Sequence, residues 1–577
     1  MSSQFALNRL HTKFTGVGSQ CCSLLTRAGG QPGQLSDQDK VFIPATLIDH
    51  QDQLRYMAFV YQALLSAKAG STSLFLRALD AAENIETIHS PITAALQVWA
   101  LLIEGRYEEA LQTLERTGEE AGAIGDFDLC LNAFAELLIL DLMFGCTRVN
   151  DAEAVQKVAS FYELASNAIT KSEDYHAKSH GKVRLGMVAP LLHTPNVPYA
   201  KRAIDFAKFI DYERFELFIY SSEGLALNSS ALPSAVMEAG TLESESGPSL
   251  VRELERYGAK VYINGTDQRP MASAKRLAEK FEEDEIDVLI IQSGPTVPVD
   301  WLSARLTSVP VKLHIHIGIA NYIPDFDYTL FDNYENLKRE LATWPTDCGK
   351  AVLLRRGTDL SSIDAAPPRT RAELGIPASA CVMGCVSNNF ATRFSEEFAH
   401  ALGQAMKSEA NLWFLPVGSR QLPEGVNTIF DQYGVGERVC HVGHSDFPAR
   451  ELKVMDFYVA DFPHGGSQAV VEALACSLPV VAMRCGSTHY ESISADVAGP
   501  TAITEYDVAR YSSRILSLTH STDLRKKEAE ASRKRAEDYF SVQQYVENIT
   551  TLGTTILRRK SGEAVSEDSL VKGWEAA

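Results

Sequence analysis

Between Asp456 and Val481 the chain reads Asp456-Phe-Tyr-Val-Ala-Asp461-Phe-Pro-His464-Gly465-Gly466-Ser467-Gln468-Ala-Val-Val-Glu472-Ala-Leu-Ala-Cys476-Ser477-Leu-Pro479-Val-Val481. The apolar start predicts a strand and Gly-Gly-Ser predicts a turn. The spacing from Gln468 predicts a helix that closes at Cys476-Ser477 before a second buried strand. Glycines let backbone N–H groups come close to a ligand, and the first helical turn adds unpaired donors with a positive partial charge. That combination suits a diphosphate. Glu472, one turn along the same face, carries a carboxylate able to accept hydrogen bonds from a ribose diol. An ordinary strand-to-helix turn with a surface glutamate uses the same residue types, so the rest of the chain has to decide. His314 and His316 alternate along a predicted strand and share one face. With no third ligand or carboxylate nearby, packing or cleft lining is expected of them rather than metal binding.

Three territories position these residues. From about Asp37 to Ala177 apolar residues recur three and four apart, which predicts helices throughout. Within it, Trp99-Ala-Leu-Leu-Ile-Glu-Gly105-Arg-Tyr107-Glu-Glu-Ala110-Leu has the Gly, Tyr and Ala spacing of a tetratricopeptide hairpin, although a generic helical bundle buries its faces equally well. At Gly181 the pattern changes. Strands are predicted at 182–189, 215–220, 286–291 and 311–317, with a helix from about Tyr199 to Ile210. After Pro367-Pro368 the alternation restarts, with strands predicted at 381–386, 412–417, 438–442, 457–460 and 479–483. Strands alternating with helices indicate two successive doubly wound parallel sheets, which bind ligands at the C-terminal ends of their strands.

Composition narrows the function classes. The 577 residues are 45% hydrophobic and 22% charged, the balance of a folded protein of three or four domains. Lys plus Arg number 54 against 74 Asp plus Glu, a net charge of −20. Such a surface repels nucleic acid and anionic membrane while leaving room for a local basic pocket. The ten cysteines are scattered with no CxxC pair, which predicts buried free thiols in a reducing compartment rather than a zinc site. No apolar run is long enough to span a bilayer. Residues 1–36 lack Asp and Glu but contain Arg9, Lys13 and Arg27. They fit a mobile polar terminus on a cytoplasmic protein, or an organelle transit segment.

The acidic residue followed by a small-residue helix and a Pro479-Val-Val-Ala strand resembles the donor-binding segment of GT-B glycosyltransferases. Retaining enzymes of the glycogen-synthase-like group carry a second Glu where this chain has His464. The phrase Asp461-Phe-Pro-His-Gly-Gly-Ser-Gln is more similar to the O-linked N-acetylglucosamine transferases and the bacterial cytoplasmic N-glycosyltransferases that modify adhesins. Gly384-Cys-Val-Ser387-Asn388-Asn389-Phe-Ala-Thr-Arg393 resembles the family segment where a strand ends in small polar residues and a basic residue reaches the diphosphate. The family's Lys is here Arg393, which can grip phosphate oxygens bidentately. Val183–Ser222 resembles the family's opening strand, loop, helix and strand, and places His193 in a loop facing the cleft. There an imidazole can take an acceptor proton or merely hydrogen-bond, and a capping role stays open. Two departures stand out: Gly318-Ile319-Ala320 replaces Gly-His-Pro or Gly-Tyr-Pro, and Phe447, Pro448 and Arg450, following His441 and His444, stand where a base-contacting His is usual. The resemblance covers about Gly181 to Phe540.

The resemblance implies an α/β fold of the GT-B type, two Rossmann-like domains preceded by an all-α tetratricopeptide-like domain. The boundaries expected are a mobile N-terminus at 1–36, a helical domain at 37–177, an acceptor-side sheet domain at 181–350, a nucleotide-sugar-binding domain at 351–545 and a tail at 546–577. It further implies an inverting, metal-independent transferase with a nucleotide-diphosphate sugar, UDP-hexose or UDP-GlcNAc, as co-substrate, no other cofactor, and a polypeptide acceptor. Arg393 and His193 are the catalytic candidates. Asn388, Asn389, Arg393, His464, Gly465, Gly466, Ser467, Gln468 and Glu472 are the donor-binding ones. A catalytically inactive helical adaptor and a retaining hexosyltransferase are the alternatives.

Overall fold

The computed structural model describes residues 98, 101, 106–144, 148, 151–169, 181–192, 197–223, 247–265, 269–316, 325–343, 350–387, 390–418, 422–445, 447–463, 465–485 and 493–564. The N-terminal segment 1–36 and residues 99–100 and 102–105 of the tetratricopeptide-like stretch lie outside the described residues. The chain divides into two compact units. One comprises Met1–Thr329, Ala342–Lys350 and Leu552–Ser566, the other Leu330–Leu341, Ala351–Thr551 and Glu567–Ala577.

The described part of the first unit opens with helices Tyr107–Ala123, Phe127–Phe144 and Ala152–Asn167. Small residues set how close they come. A Cβ on Gly118 would stand 2.8 Å from the Phe134 ring, and one on Gly122 would overlap the Phe161 ring. The first hairpin turns at Gly125, whose φ of +80° favours glycine. These helices share a core with the sheet that follows. Tyr162 is fully buried, its ring meets Trp301 edge-on at 5.4 Å, and its hydroxyl donates to the Pro295 carbonyl at 2.9 Å.

That sheet holds strands β1 (Val183–Ala189), β2 (Phe215–Ser221), β3 (Lys260–Ile263), β4 (Val288–Ile291), β5 (Val311–Ile315), β6 (Tyr328–Phe331) and β7 (Lys350–Leu353), in the order β3-β2-β1-β4-β5-β6-β7. The pairings from β3 through β5 are parallel, with Leu185 opposite both Leu217 and Val288. β1 and β4 are apolar almost throughout because helices cover both faces. Residues 546–560, expected to begin a tail, instead lie in the helix Val542–Lys560. Gly553 of that helix sits close enough to β4 that a Cβ would stand 2.8 Å from Val288.

The second unit has strands β8 (Cys381–Ser387), β9 (Leu412–Gly418), β10 (Phe457–Val459) and β11 (Val480–Val481), all parallel in the order β11-β10-β8-β9. The strand expected at 438–442 is not one. Gly436–Arg438 forms a 3-10 turn, and only isolated bridges pair Val439 with Phe414 and Gly443 with Val417. Arg438 explains the difference: its guanidinium donates to the carbonyls of Met406, Glu409 and Leu412 at 2.7–2.9 Å, which turns the segment toward the end of a neighbouring helix. Gly443, with φ +81°, then ends the run. Order therefore reverses between β8 and β10, the crevice where doubly wound sheets take ligands.

Candidate functional site

Both strands at this crevice are held firmly at their C-terminal ends. The Tyr458 hydroxyl on β10 bonds the backbone of Val386 on β8, at 3.3 Å to its N–H and 3.4 Å to its carbonyl. The Tyr511 hydroxyl donates to the Ala460 carbonyl at 2.8 Å. Ser395 caps the helix Glu396–Ser408 and also donates to the Phe462 carbonyl at 2.8 Å. Phe398, Phe462 and Tyr511 close the aromatic layer beneath, with ring centroids 5.0–6.2 Å apart.

The chain then enters the glycine turn. Gly465 faces Ser494 on the helix Ile493–Ala498 so closely that any Cβ would collide with the Ser494 hydroxyl. Ser494 in turn donates to the Gly466 carbonyl at 3.3 Å. Gly466 is the N-cap of the nine-residue helix Ser467–Ala475, and no side chain caps it. Its first-turn N–H groups are thus left for water or a ligand. Above Gly466 lies the Arg393 guanidinium, with Nη1 2.6 Å from where a Gly466 Cβ would be. Arg393 ends the short helix Phe390–Arg393 that follows β8, is half-buried, and forms no hydrogen bond or ion pair with another described residue. One turn into the glycine-turn helix, Gln468 Nε2 donates to Glu472 Oε1 at 3.4 Å, and both side chains are half-buried.

Arg393, Gly465, Gly466, Ser467, Gln468 and Glu472 are therefore brought together on one edge of one sheet. Asn388, Asn389, His464 and His193 lie outside the described residues, as do Gly318, Ile319 and Ala320. Two groups escaped sequence reasoning. Asp461, quoted in the motif but given no role, is 4% exposed, and its Oδ2 has no hydrogen-bond partner among the described residues. Burial pushes its carboxyl up to about 6, against the opposing charge of Arg393 and backbone hydrogen bonds from Asp461 and Gly466. Ser494 is 3% exposed and had no signal at all, being remote in sequence. Near the same edge, His441 Nε2 is buried without a partner, and its ring centroid lies 6.3 Å from that of Phe390.

His314 packs rather than ligates. It stacks on Phe326 at 5.2 Å, its Nε2 lies 3.0 Å from the Ser293 carbonyl oxygen, and burial pushes it down to about 3, so the ring is neutral. Among the described residues no group of three or more His, Cys, Asp or Glu could hold a metal ion.

No protein-family profile and no curated protein sequence matches the chain. Solved structures do. A glycosyltransferase from Rickettsia africae aligns over 66% of this chain and 100% of its own, with a TM-score of 0.51 and 17% identity. A mutant O-GlcNAc transferase from Thermobaculum terrenum covers 89% of this chain and 99% of its own, at 0.49 and 13%. Anabaena HepE, solved with UDP and glucose, covers 64% and 98%, at 0.46 and 14%. The expected resemblance to glycosyltransferases thus holds at the level of the fold that this chain shares with the Rickettsia protein.

Proposed function

We propose that the protein is an inverting, metal-independent glycosyltransferase moving a sugar from a nucleotide-diphosphate donor, a UDP-hexose or UDP-GlcNAc, to a polypeptide side chain. One observation carries the reading: the Arg393 guanidinium, with no hydrogen bond or ion pair to another described residue, lies over Gly466 at the uncapped start of the helix Ser467–Ala475. A cation and a set of free N–H groups converge there on one small space, the arrangement a diphosphate needs. The fold shared with the Rickettsia glycosyltransferase supports the class.

In this reading the diphosphate sits on residues 465–468 and Arg393, with the ribose against Glu472. As the bond between the anomeric carbon and the diphosphate oxygen breaks, the electron pair goes to the leaving diphosphate. Arg393 and the helix start stabilise that charge in the role a metal fills elsewhere. The acceptor nucleophile attacks the opposite face of the anomeric carbon and gives up its proton, with His193 the assigned recipient by resemblance. The polypeptide acceptor is assigned because stacked helices form extended binding surfaces, and helices precede the first sheet.

The test is intact-mass analysis of polypeptides incubated with the protein and a panel of sugar nucleotides, with a metal chelator present. The expected result is addition of one hexose or N-acetylhexosamine, with inverted configuration at the anomeric carbon. Folded protein that transfers from no donor contradicts the enzyme reading, and a retained configuration contradicts the inverting one.

A further inference from the structure

Asp461 occupies an unusual position. It lies just after β10, ahead of the glycine turn, buried to 4% exposure, and among the described residues nothing hydrogen-bonds one of its carboxylate oxygens. A buried acceptor left without a partner is costly and calls for an explanation. Titratable groups on three neighbouring elements feel its charge. Cys385 on β8, Tyr458 on β10 and Tyr511 on the helix Val508–His520 are each held neutral, because burial raises them well above their ordinary values. Among the described residues Arg393 is the one cation whose charge acts on Asp461. The carboxylate also receives the backbone amide of Gly466, the residue over which Arg393 lies. Asp461 thus hydrogen-bonds the turn and feels the charge of the cation, both from the protein side.

We propose that Asp461 is a positioning residue, the resident counter-charge of the diphosphate site: it fixes Gly466 and balances Arg393 until the donor arrives, and takes up one proton from solvent as the diphosphate replaces it. The inference rests on the diphosphate reading above. Its physical basis is competition for Arg393. A diphosphate on the turn engages the guanidinium and adds like charge beside a carboxylate already shielded from water, and both changes favour the neutral acid. With its carboxyl at about 6 in the free protein, Asp461 is mostly ionised at pH 7. Binding then raises its pKa, so the sign is fixed. Affinity for the diphosphate is independent of pH well below 6 and falls as pH rises above it, by at most about tenfold per pH unit for a single linked proton.

The experiment is calorimetric titration of the full-length chain with UDP-glucose, whose diphosphate diester has no group titrating near neutrality. It is run at pH 7 in buffers of low and high ionisation enthalpy. The buffer dependence reports proton uptake, expected at about 0.5–1 proton for the wild type. Asp461→Asn keeps an acceptor for Gly466 but cannot take up the proton, so it should bind with uptake near zero. A role confined to folding would not move this readout. Wild-type protein at pH 5 provides a second measurement independent of the variant, because uptake should shrink once the carboxyl is already protonated. Binding with equal uptake in wild type and Asp461→Asn, or wild-type uptake unchanged between pH 7 and pH 5, overturns the role of Asp461. A folded wild type that does not bind UDP-glucose contradicts the uridine-diphosphate donor itself, and is told apart by the absence of any binding heat.

Discussion

At the scale of single residues, the site depends on absences as much as on side chains. Gly465 has no Cβ because Ser494 fills that space, and Gly466 has none because Arg393 lies there. Gly465→Ala should push the turn away from Ser494 and weaken UDP-glucose binding about tenfold or more, a change of about 1.4 kcal/mol. Adding Ser494→Gly should restore most of the affinity, and calorimetry on the single and double variants checks both. If the double variant binds no better than the single one, the clash does not set the turn. The sequence made Gly-Gly-Ser legible as a place of close backbone approach, because only glycine tolerates it. It could not show what approaches. Ser494 lies 28 residues beyond its partner Gly466, and the burial of Asp461 depends on β8, β10 and the helix Val508–His520 together. Arg393 was found through its family position, and its lack of a partner became visible only in three dimensions.

At the scale of elements, most of what holds the site was readable and one strand was not. The helix expected near Gln468 is Ser467–Ala475, and the strands expected at 182–189, 215–220, 381–386 and 412–417 agree with β1, β2, β8 and β9 within a residue or so. Those segments are short, apolar and bounded by turn residues, so local pattern and tertiary burial agree. Residues 438–442 have the same look but lie at the edge of β9, where the tertiary hydrogen bonds of Arg438 and the conformation of Gly443 override it. The aromatic layer of Phe398, Phe462 and Tyr511 ties the helix Glu396–Ser408 to the site loop, and Phe398 is fully buried. Phe398→Ala should therefore cost about 3–5 kcal/mol of stability, measured by urea unfolding. A loss below about 1 kcal/mol would mean the layer repacks and does not brace the loop.

At the scale of the whole molecule, charge and function stand in tension. A chain of net charge −20 repels anions at long range, so the proposed anionic donor must find a local positive field. The helix start at Ser467 and Arg393 would supply one, beside the buried Asp461 carboxylate whose charge opposes that of Arg393. Composition alone showed the deficit of positive charge but not where it was relieved. It also did not show that the helices ahead of the first sheet share its core through Tyr162 and Trp301. Arg393 is the residue on which the proposed chemistry depends. The most direct measurement is turnover with a sugar nucleotide found to be a donor, comparing wild type, Arg393→Lys and Arg393→Ala. Loss of a preorganised charge partner of the leaving group predicts a fall of about 10²–10³ for Arg393→Ala, with part of the activity kept by Arg393→Lys. Undiminished transfer by folded Arg393→Ala would contradict the account.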